Sequence, residues 1–413
     1  MKTRFNIFYR LLFIICALWG VCFAQSQKAQ VAQYNFINYK VDTLYVAKNQ
    51  SYLSYFVSKF DSVVTLRSGN INIVHIGGSH IQAGTFPNTV RQELLKAYPY
   101  LSASRGIVFP YAAAPKCNNP VDYRTRSVGR FGLVRNVYQE HSKPLGVTGI
   151  AVYTLDSISE VRIVYRDSLT KFNTTKITLL GFSDEENPAV PVLKIDTSSF
   201  LPTKIIPEKR QYIYENISVT DSFALSLTTK DSAGFTITGF LLENESPGIT
   251  YHSLGVNGAS VKAFLRCQHF EEEMPLLSPD MVIFSLGVND ASEANYDPAV
   301  FKENYLTLVN QIKKANPHCF FVFVTNNDTY KKVGKSYQVN ENALSVRKVM
   351  YELADATGGA VFDQFEIMGG LRSMEKWRVE KLAQNDRVHF TKEGYELMGK
   401  LLYNAIIKEL IKK

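Results

Sequence analysis

Four short stretches of the 413-residue chain carry residues able to do chemistry, and each adjoins a segment patterned as regular structure. The first is "NIVHIGGSHIQAGTF" (72–86), where an apolar run ends on Gly77-Gly78 and puts Ser79 and His80 in the bend. A buried parallel strand reads as a continuous apolar run. "INIVHI" (71–76) therefore places the serine at a strand's carboxyl end, the sheet edge where ligands bind in open α/β folds. Glycines beside it permit a tight bend and close approach of a substrate. Taken alone, GGS is what an ordinary strand-to-helix turn contains, so partners elsewhere in the chain must decide.

Three further stretches supply them. "GVNGAS" (255–260) follows the apolar "GITYHSL", "GVNDAS" (287–292) follows "MVIFSL", and "NDRVHFTKEGY" (385–395) precedes the last helical pattern. Each has a plain structural reading as well. Asn289 and Asp290 suit a helix N-cap, Gly258 suits a helix start, His389 before Phe390 suits a packed ring, and Asp386 suits a solvated turn. What distinguishes them is their joint order along the chain: Ser, Gly, Asn, then Asp and His spaced D-x-x-H.

The elements that must position these residues are legible in outline. Beyond residue 250 the runs 248–254, 281–286, 319–324 and 360–362 alternate with amphipathic stretches such as "PAVFKENYLTLVNQIKKANP" and the terminal "KEGYELMGKLLYNAIIKELIKK". Their apolar residues recur at helical spacing. Such alternation implies right-handed crossovers and a parallel sheet covered on both faces, to which the strand at 71–76 also belongs. Between these parts the texture changes. From about 147 to 244, seven short runs rich in Val, Ile, Tyr, Phe and Thr are separated by Asp, Asn, Ser, Gly and Pro, the signature of a β-sandwich or jelly roll. The expected organisation is an α/β domain (61–135 and 249–413) interrupted by an all-β insert (136–248), with a segment of unread role at 25–60.

Composition bounds the rest. Hydrophobic residues at 46% and charged residues at 20% describe a globular chain. Lys2, Arg4 and Arg10 precede the apolar "LLFIICALWGVCFA", with Ala24 as a cleavage residue before polar "QSQKAQ". This reads as a secretory signal over 1–24, with an uncleaved anchor as the alternative. No later stretch is apolar enough to span a bilayer. Removing the segment takes away three positive charges and lowers the formal charge from +8 to about +5. That mild excess suits anionic surfaces such as cell-wall polymers. Without a dense basic patch interleaved with aromatics, no nucleic-acid partner is expected. Cys117, Cys267 and Cys319, the cysteines beyond the signal-like segment, are odd in number and widely spaced, which suits neither a disulfide framework nor a zinc site and leaves room for one bridge in an oxidising compartment.

With the four motifs in order, the chain resembles the SGNH, or GDSL-type, hydrolases over its whole α/β part. The resemblance implies a three-layer α/β/α parallel-sheet domain, Ser79 as nucleophile, Asp386 and His389 as the rest of the triad, and Ser79, Gly258 and Asn289 as oxyanion-hole donors. The chemistry is coherent. A serine hydroxyl is a weak nucleophile, so a histidine must take its proton and a carboxylate must hold the ring in the right tautomer. Backbone N–H groups of Ser79 and Gly258 with the Asn289 amide would stabilise the developing oxyanion. No metal or organic cofactor is required. One residue departs from the pattern: Gly78 stands where the family usually has aspartate, which puts in question the hydrogen bonds that shape the nucleophile loop.

"HIGGSHIQAGTF", "SRGIVFPYAAA", "CNNPVDYR" and "GGLRSMEKWRVEKLAQNDRVHFTKEGYELMG" are similar to bacterial peptidoglycan O-acetylesterases, in which a carbohydrate-binding-like β domain interrupts the hydrolase. This implies an O-acetylated cell-wall polysaccharide as partner and a secreted, periplasmic location. His80, Tyr111, Tyr123 and Trp377 are candidate substrate contacts, with packing as the competing role for each. Three other activities share the motifs: an acetylesterase on another polysaccharide, a lipase or thioesterase with an acyl channel, and a wall-binding protein whose hydrolase has decayed at Gly78.

Overall fold

A computed structural model of the protein describes residues 28–412 except 102–103, 116, 167–172, 186–187 and 231–233. The signal-like segment, with Cys22, lies outside the described residues. A six-stranded sheet forms the centre: β1 (Leu44–Val46), β2 (Asn70–Gly77), β3 (Gly248–Gly255), β4 (Met281–Ser285), β5 (Phe320–Val324) and β6 (Ala360–Phe362), in the order β1-β6-β5-β4-β2-β3. All neighbours are parallel except β1, which pairs antiparallel with β6 at the edge. The N-terminal segment, silent in sequence, thus contributes an edge strand.

The interior strands are mostly apolar because successive side chains face opposite helical layers. Val74, Ile76, Phe284, Phe321 and Phe323 share one core with Tyr305 and Leu308 of α4 (Pro298–Ala315) and Val346 and Met350 of α5 (Asn342–Thr357). Ile71, Ile73, Ile283 and Val322 share the other with Phe56 and Phe60 of α1 (Ser51–Leu66), Val90 of α3 (Thr85–Ala97) and Leu402 of α6 (Lys392–Leu410). Between β2 and α3 lies the one-turn helix α2 (Ser79–Gln82). Two starts are fixed locally. Asp297 accepts from the N–H groups of Ala299 and Val300 with Pro298 at the first helical position. Thr391 accepts from Gly394 and so anchors α6 two residues after His389.

The all-β part consists of two antiparallel sheets of five and seven strands. It contains the seven strands expected from composition, at 150–154, 158–165, 174–183, 192–195, 211–219, 222–228 and 235–243. It also contains strands outside those seven, some of them within the span expected for the α/β part. Gly106–Val108 pairs with Phe235–Glu243, Tyr123–Val128 with Ile158–Tyr165, and Phe131–Arg135 with Ile150–Thr154. The boundary expected at 135/136 therefore lies near residue 105. The reason is that "YRTRSV" carries four consecutive polar residues between its terminal Tyr and Val, which hides its alternating burial, and "GIV" is too short to register. Insert residues such as Ile150 and Ile237 belong to the same buried cluster as Val256, Val261 and Phe264 of the α/β part. Cys117 is half-buried, Cys267 and Cys319 are buried, and all three are free thiols.

Candidate active site

The strand β2 ends at Gly77 because α2 packs directly onto it: a Cβ there would lie 2.3 Å from Ile81 Cγ1 and 3.0 Å from the Ser285 carbonyl. Ser79 follows as the first residue of α2, where the N–H of a first turn has no intrahelical acceptor. Its Oγ lies 2.8 Å from Nε2 of His389, although 310 residues separate them. Nδ1 of the same ring lies 2.7 Å from Oδ2 of Asp386. The second oxygen, Oδ1, accepts from the N–H groups of Val388 and His389 at 2.9 and 3.0 Å. The acid therefore closes its own turn while it holds the ring. Burial alone would raise the Asp386 pKa, but these hydrogen bonds outweigh it and hold the carboxyl at about 2.

That turn is braced from several sides. Arg387 adopts the left-handed conformation at φ 57 and donates to Glu375, which Arg378 also grips. Asn327 donates to the Val388 carbonyl at 2.9 Å, and Gln384 N–H donates to that of His389 at 2.8 Å. Asn327 belongs to "TNNDT" (325–329), another polar loop after an apolar strand. The logic that found the other motifs applies to it equally, but it was not singled out.

Across from Ser79 lie the candidate oxyanion donors. Gly258 has φ +83, a backbone that favours glycine. The Asn289 side chain does not cap the short 3-10 helix that follows it; Nδ2 donates instead to the Ala259 carbonyl at 2.9 Å, leaving its second hydrogen free to donate. A Cβ on Gly78 would lie 3.0 Å from that nitrogen, so the amide sits directly against the nucleophile's turn. Asp290, buried beside it, accepts from Val261 N–H and ties the two loops together. Gln82, three residues after Ser79, accepts from Asn257 N–H at 2.6 Å. Arg135 donates to the Asn257 carbonyl from the insert side. Neither contact carries a local sequence signal, since the partners come from distant parts of the chain.

Ser79, Gly258, Asn289, Asp386 and His389 thus converge. The four candidate substrate contacts do not reach the surface of this site. His80 is buried behind His389, with ring centroids 5.3 Å apart, and its Nδ1 lies 2.7 Å from Tyr395 Oη. Burial, reinforced by His389, lowers its pKa to about 3, so its ring is neutral. Trp377 is fully buried under the D-x-x-H turn, tilted against Phe390 with ring centroids 5.0 Å apart and donating to the Met368 carbonyl. Tyr123 is buried with its hydroxyl committed to the Phe109 backbone, and Tyr111 is packed beside Phe109. In each case an apolar environment has claimed the ring. Exposed aromatics beside residues of the site include Tyr138, 43% exposed, with the Arg135 guanidinium 5.9 Å from its ring centroid, and Tyr337, 36% exposed, with the Arg387 guanidinium 4.2 Å from its own. The triad itself is open to solvent, His389 by 33% and Asp386 by 45% of their side chains. Among the described residues no helix is long and apolar enough to cross a membrane.

Residues 221–397 match the model of the GDSL-like Lipase/Acylhydrolase family. The matched span contains Gly258, Asn289, Asp386 and His389; Ser79 lies upstream of it, on the other side of the insert. No curated protein matches the chain. Among solved structures, the chain is similar to a peptidoglycan O-acetylesterase at 20% identity, with 86% of this chain and 96% of that one covered and a TM-score of 0.70. It is also similar to an acetyl xylan esterase (18% identity, 39% and 83% covered, TM-score 0.32). A third is an acetylxylan esterase from Geobacillus stearothermophilus (19% identity, 40% and 73% covered, TM-score 0.30).

Proposed function

From the premise that the α/β part is a GDSL-like lipase/acylhydrolase domain, a carboxylic ester hydrolase, we propose that this chain removes O-acetyl groups from cell-wall glycan, with peptidoglycan muramic acid as the substrate. The observation that carries the chemistry is the hydrogen-bonded series Ser79 Oγ, His389 Nε2, His389 Nδ1 and Asp386 Oδ2 at 2.8 and 2.7 Å. The substrate assignment draws support from the extent of the similarity to a peptidoglycan O-acetylesterase, whose 86% coverage cannot be reached without the β insert. Secretion to the periplasm is part of the same proposal and draws on the signal-like residues 1–24.

The steps follow from position. Ser79 Oγ attacks the acetyl carbonyl while His389 Nε2 takes its proton, and Asp386 stabilises the imidazolium that results. The carbonyl oxygen becomes an oxyanion facing Ser79 N–H, Gly258 N–H and the Asn289 amide. His389 then protonates the departing sugar oxygen, leaving an acetyl-serine. Water activated by the same ring attacks it and releases acetate, which restores Ser79.

The test is acetate release from O-acetylated peptidoglycan by purified protein, run beside Ser79→Ala and an acetylated xylan. Release from peptidoglycan that vanishes in the variant supports the whole proposal. Release from xylan alone keeps the chemistry and moves the substrate. No release from either, by folded protein, refutes the acetylesterase reading.

A further inference from the structure

Asn257 is held from two sides. Its N–H donates to Gln82 Oε1 on the nucleophile helix, and its carbonyl accepts from an Nη of Arg135, the last residue of the insert strand Phe131–Arg135. The carbonyl of Asn257 and the N–H of Gly258 belong to one peptide group. That group is planar and trans, so its C=O and N–H point in opposite directions. Whatever grips the oxygen from the insert side aims the N–H away from the insert, and the direction of that N–H decides whether Gly258 can serve an oxyanion.

The surroundings are consistent with a grip built for this purpose. Gly258 sits in the left-handed region at φ +83, and the atom nearest to a Cβ built on it is Cγ1 of Val137, at 3.8 Å. Insert residues 135–137 therefore lie over the turn. Among the described residues no carboxylate pairs with Arg135, whose Nε is buried without a hydrogen-bond partner. A guanidinium without an acid partner keeps its full charge on the carbonyl it holds. Charge-assisted hydrogen bonds are about twice as strong as neutral ones, and they polarise the next bond along. An amide whose oxygen is so polarised is a better donor through its nitrogen.

We propose that Arg135 is a positioning residue for the oxyanion hole: through the Asn257 carbonyl, the β insert sets the direction and donor strength of the Gly258 N–H. The insert is then part of the hydrolytic machinery as well as a neighbour of it. This inference rests on the esterase reading above and assigns a new role within the same site. It also separates Arg135 from the alternative use of an active-site arginine, direct contact with an anionic group of the glycan. A positioning role acts on turnover of every ester, whereas a substrate contact acts on binding of the glycan alone.

The experiment compares wild type, Arg135→Met and Arg135→Lys on 4-nitrophenyl acetate and on O-acetylated peptidoglycan, with thermal unfolding measured alongside. Loss of a complete oxyanion donor costs about 10²–10³ in kcat, so misaiming one of three is expected to cost about 10- to 100-fold. Arg135→Met should lose that much kcat on both esters, with KM for the aryl ester within about threefold, and Arg135→Lys should recover part of the loss. The Gly258 amide resonance, identified by its absence in Gly258→Ala, should shift upfield in Arg135→Met. That readout needs no turnover, so it reports on the grip even if the wild type hydrolyses neither ester and the esterase reading itself fails. An unchanged Gly258 resonance, or a defect confined to KM for the glycan with aryl-ester turnover intact, overturns the proposal. If Arg135→Met does not fold, the lysine variant carries both readouts.

Discussion

Under the proposed mechanism, Asn289→Ala removes one amide with two separable duties. Nδ2 spends one hydrogen on the Ala259 carbonyl at 2.9 Å and has a second to offer an oxyanion beside Ser79. Removing a preorganised donor of this kind costs about 3–4 kcal/mol in the transition state, or about 10²–10³ in kcat. Loss of the neutral hydrogen bond to Ala259 costs about 1 kcal/mol of stability. The loops remain tied through Asp290 and Val261 N–H at 3.1 Å, so the fold should survive. Steady-state hydrolysis of 4-nitrophenyl acetate should show kcat and kcat/KM falling together with KM within a few-fold, the pattern of an interaction made only in the transition state. Calorimetry should show a melting shift of a few degrees at most. Asn289→Asp should be worse still, since it removes the donor and sets a negative charge against the developing oxyanion. A kcat within about threefold of wild type, in a variant with near-native melting, would refute the reasoning and leave Asn289 a strut between loops.

Three further outcomes are expected. Gly78→Ala sets a methyl 3.0 Å from Asn289 Nδ2, and the resulting shift of a few tenths of an ångström should lower kcat about 3- to 10-fold; the same change in an Asn289→Ala background should cost nothing more, and an undiminished loss there contradicts the account. Tyr138→Ala removes the exposed ring beside Arg135 and should raise KM for acetylated glycan about fivefold relative to 4-nitrophenyl acetate, the equivalent of about 1 kcal/mol of ring contact; equal KM ratios would place the glycan elsewhere. Glu273 is buried beneath the insert, where burial, only partly offset by Val147 N–H and Arg210, raises its pKa to about 7. A raised carboxyl binds its proton more tightly in the folded state, so its contribution is complete below about pH 4.5 and is lost as pH rises toward 7. Wild-type melting should therefore decline across that window by up to about 3 kcal/mol from this group, and Glu273→Gln should flatten the decline; parallel curves for the two proteins would mean that Glu273 titrates normally.

Much of this architecture was legible in sequence because local pattern and global fold agree. Strands β2 to β6 read as apolar runs because helices cover both faces of the sheet, which leaves no polar face to disguise them. The four motifs stood out because each follows a strand's carboxyl end or precedes a strong helix, places where polar and glycine residues cannot be explained by the core. Asp386 and His389 were paired by a spacing of three, which one turn can close without tertiary help. The strands at 106–108, 123–128 and 131–135 were not legible as insert, since their membership depends on partners 15 to 136 residues away rather than on their own composition.

Other features only tertiary structure could decide. Residue type says that a histidine or a tryptophan can contact a sugar; burial decided that His80 and Trp377 instead support the D-x-x-H turn from beneath, where their rings fill space and their polar atoms serve Tyr395 and Met368. Sequence likewise could nominate Gly258 and Asn289 but could not say what holds them, because Gln82 and Arg135 act on a backbone group, and a backbone group leaves no signature in the identity of the residue that owns it. The chain by itself determined which atoms are available for an acyl transfer. Folding determined the distances among them, since 310 residues separate Ser79 from His389 and it is the packed sheet with its two helical layers that brings them to 2.8 Å.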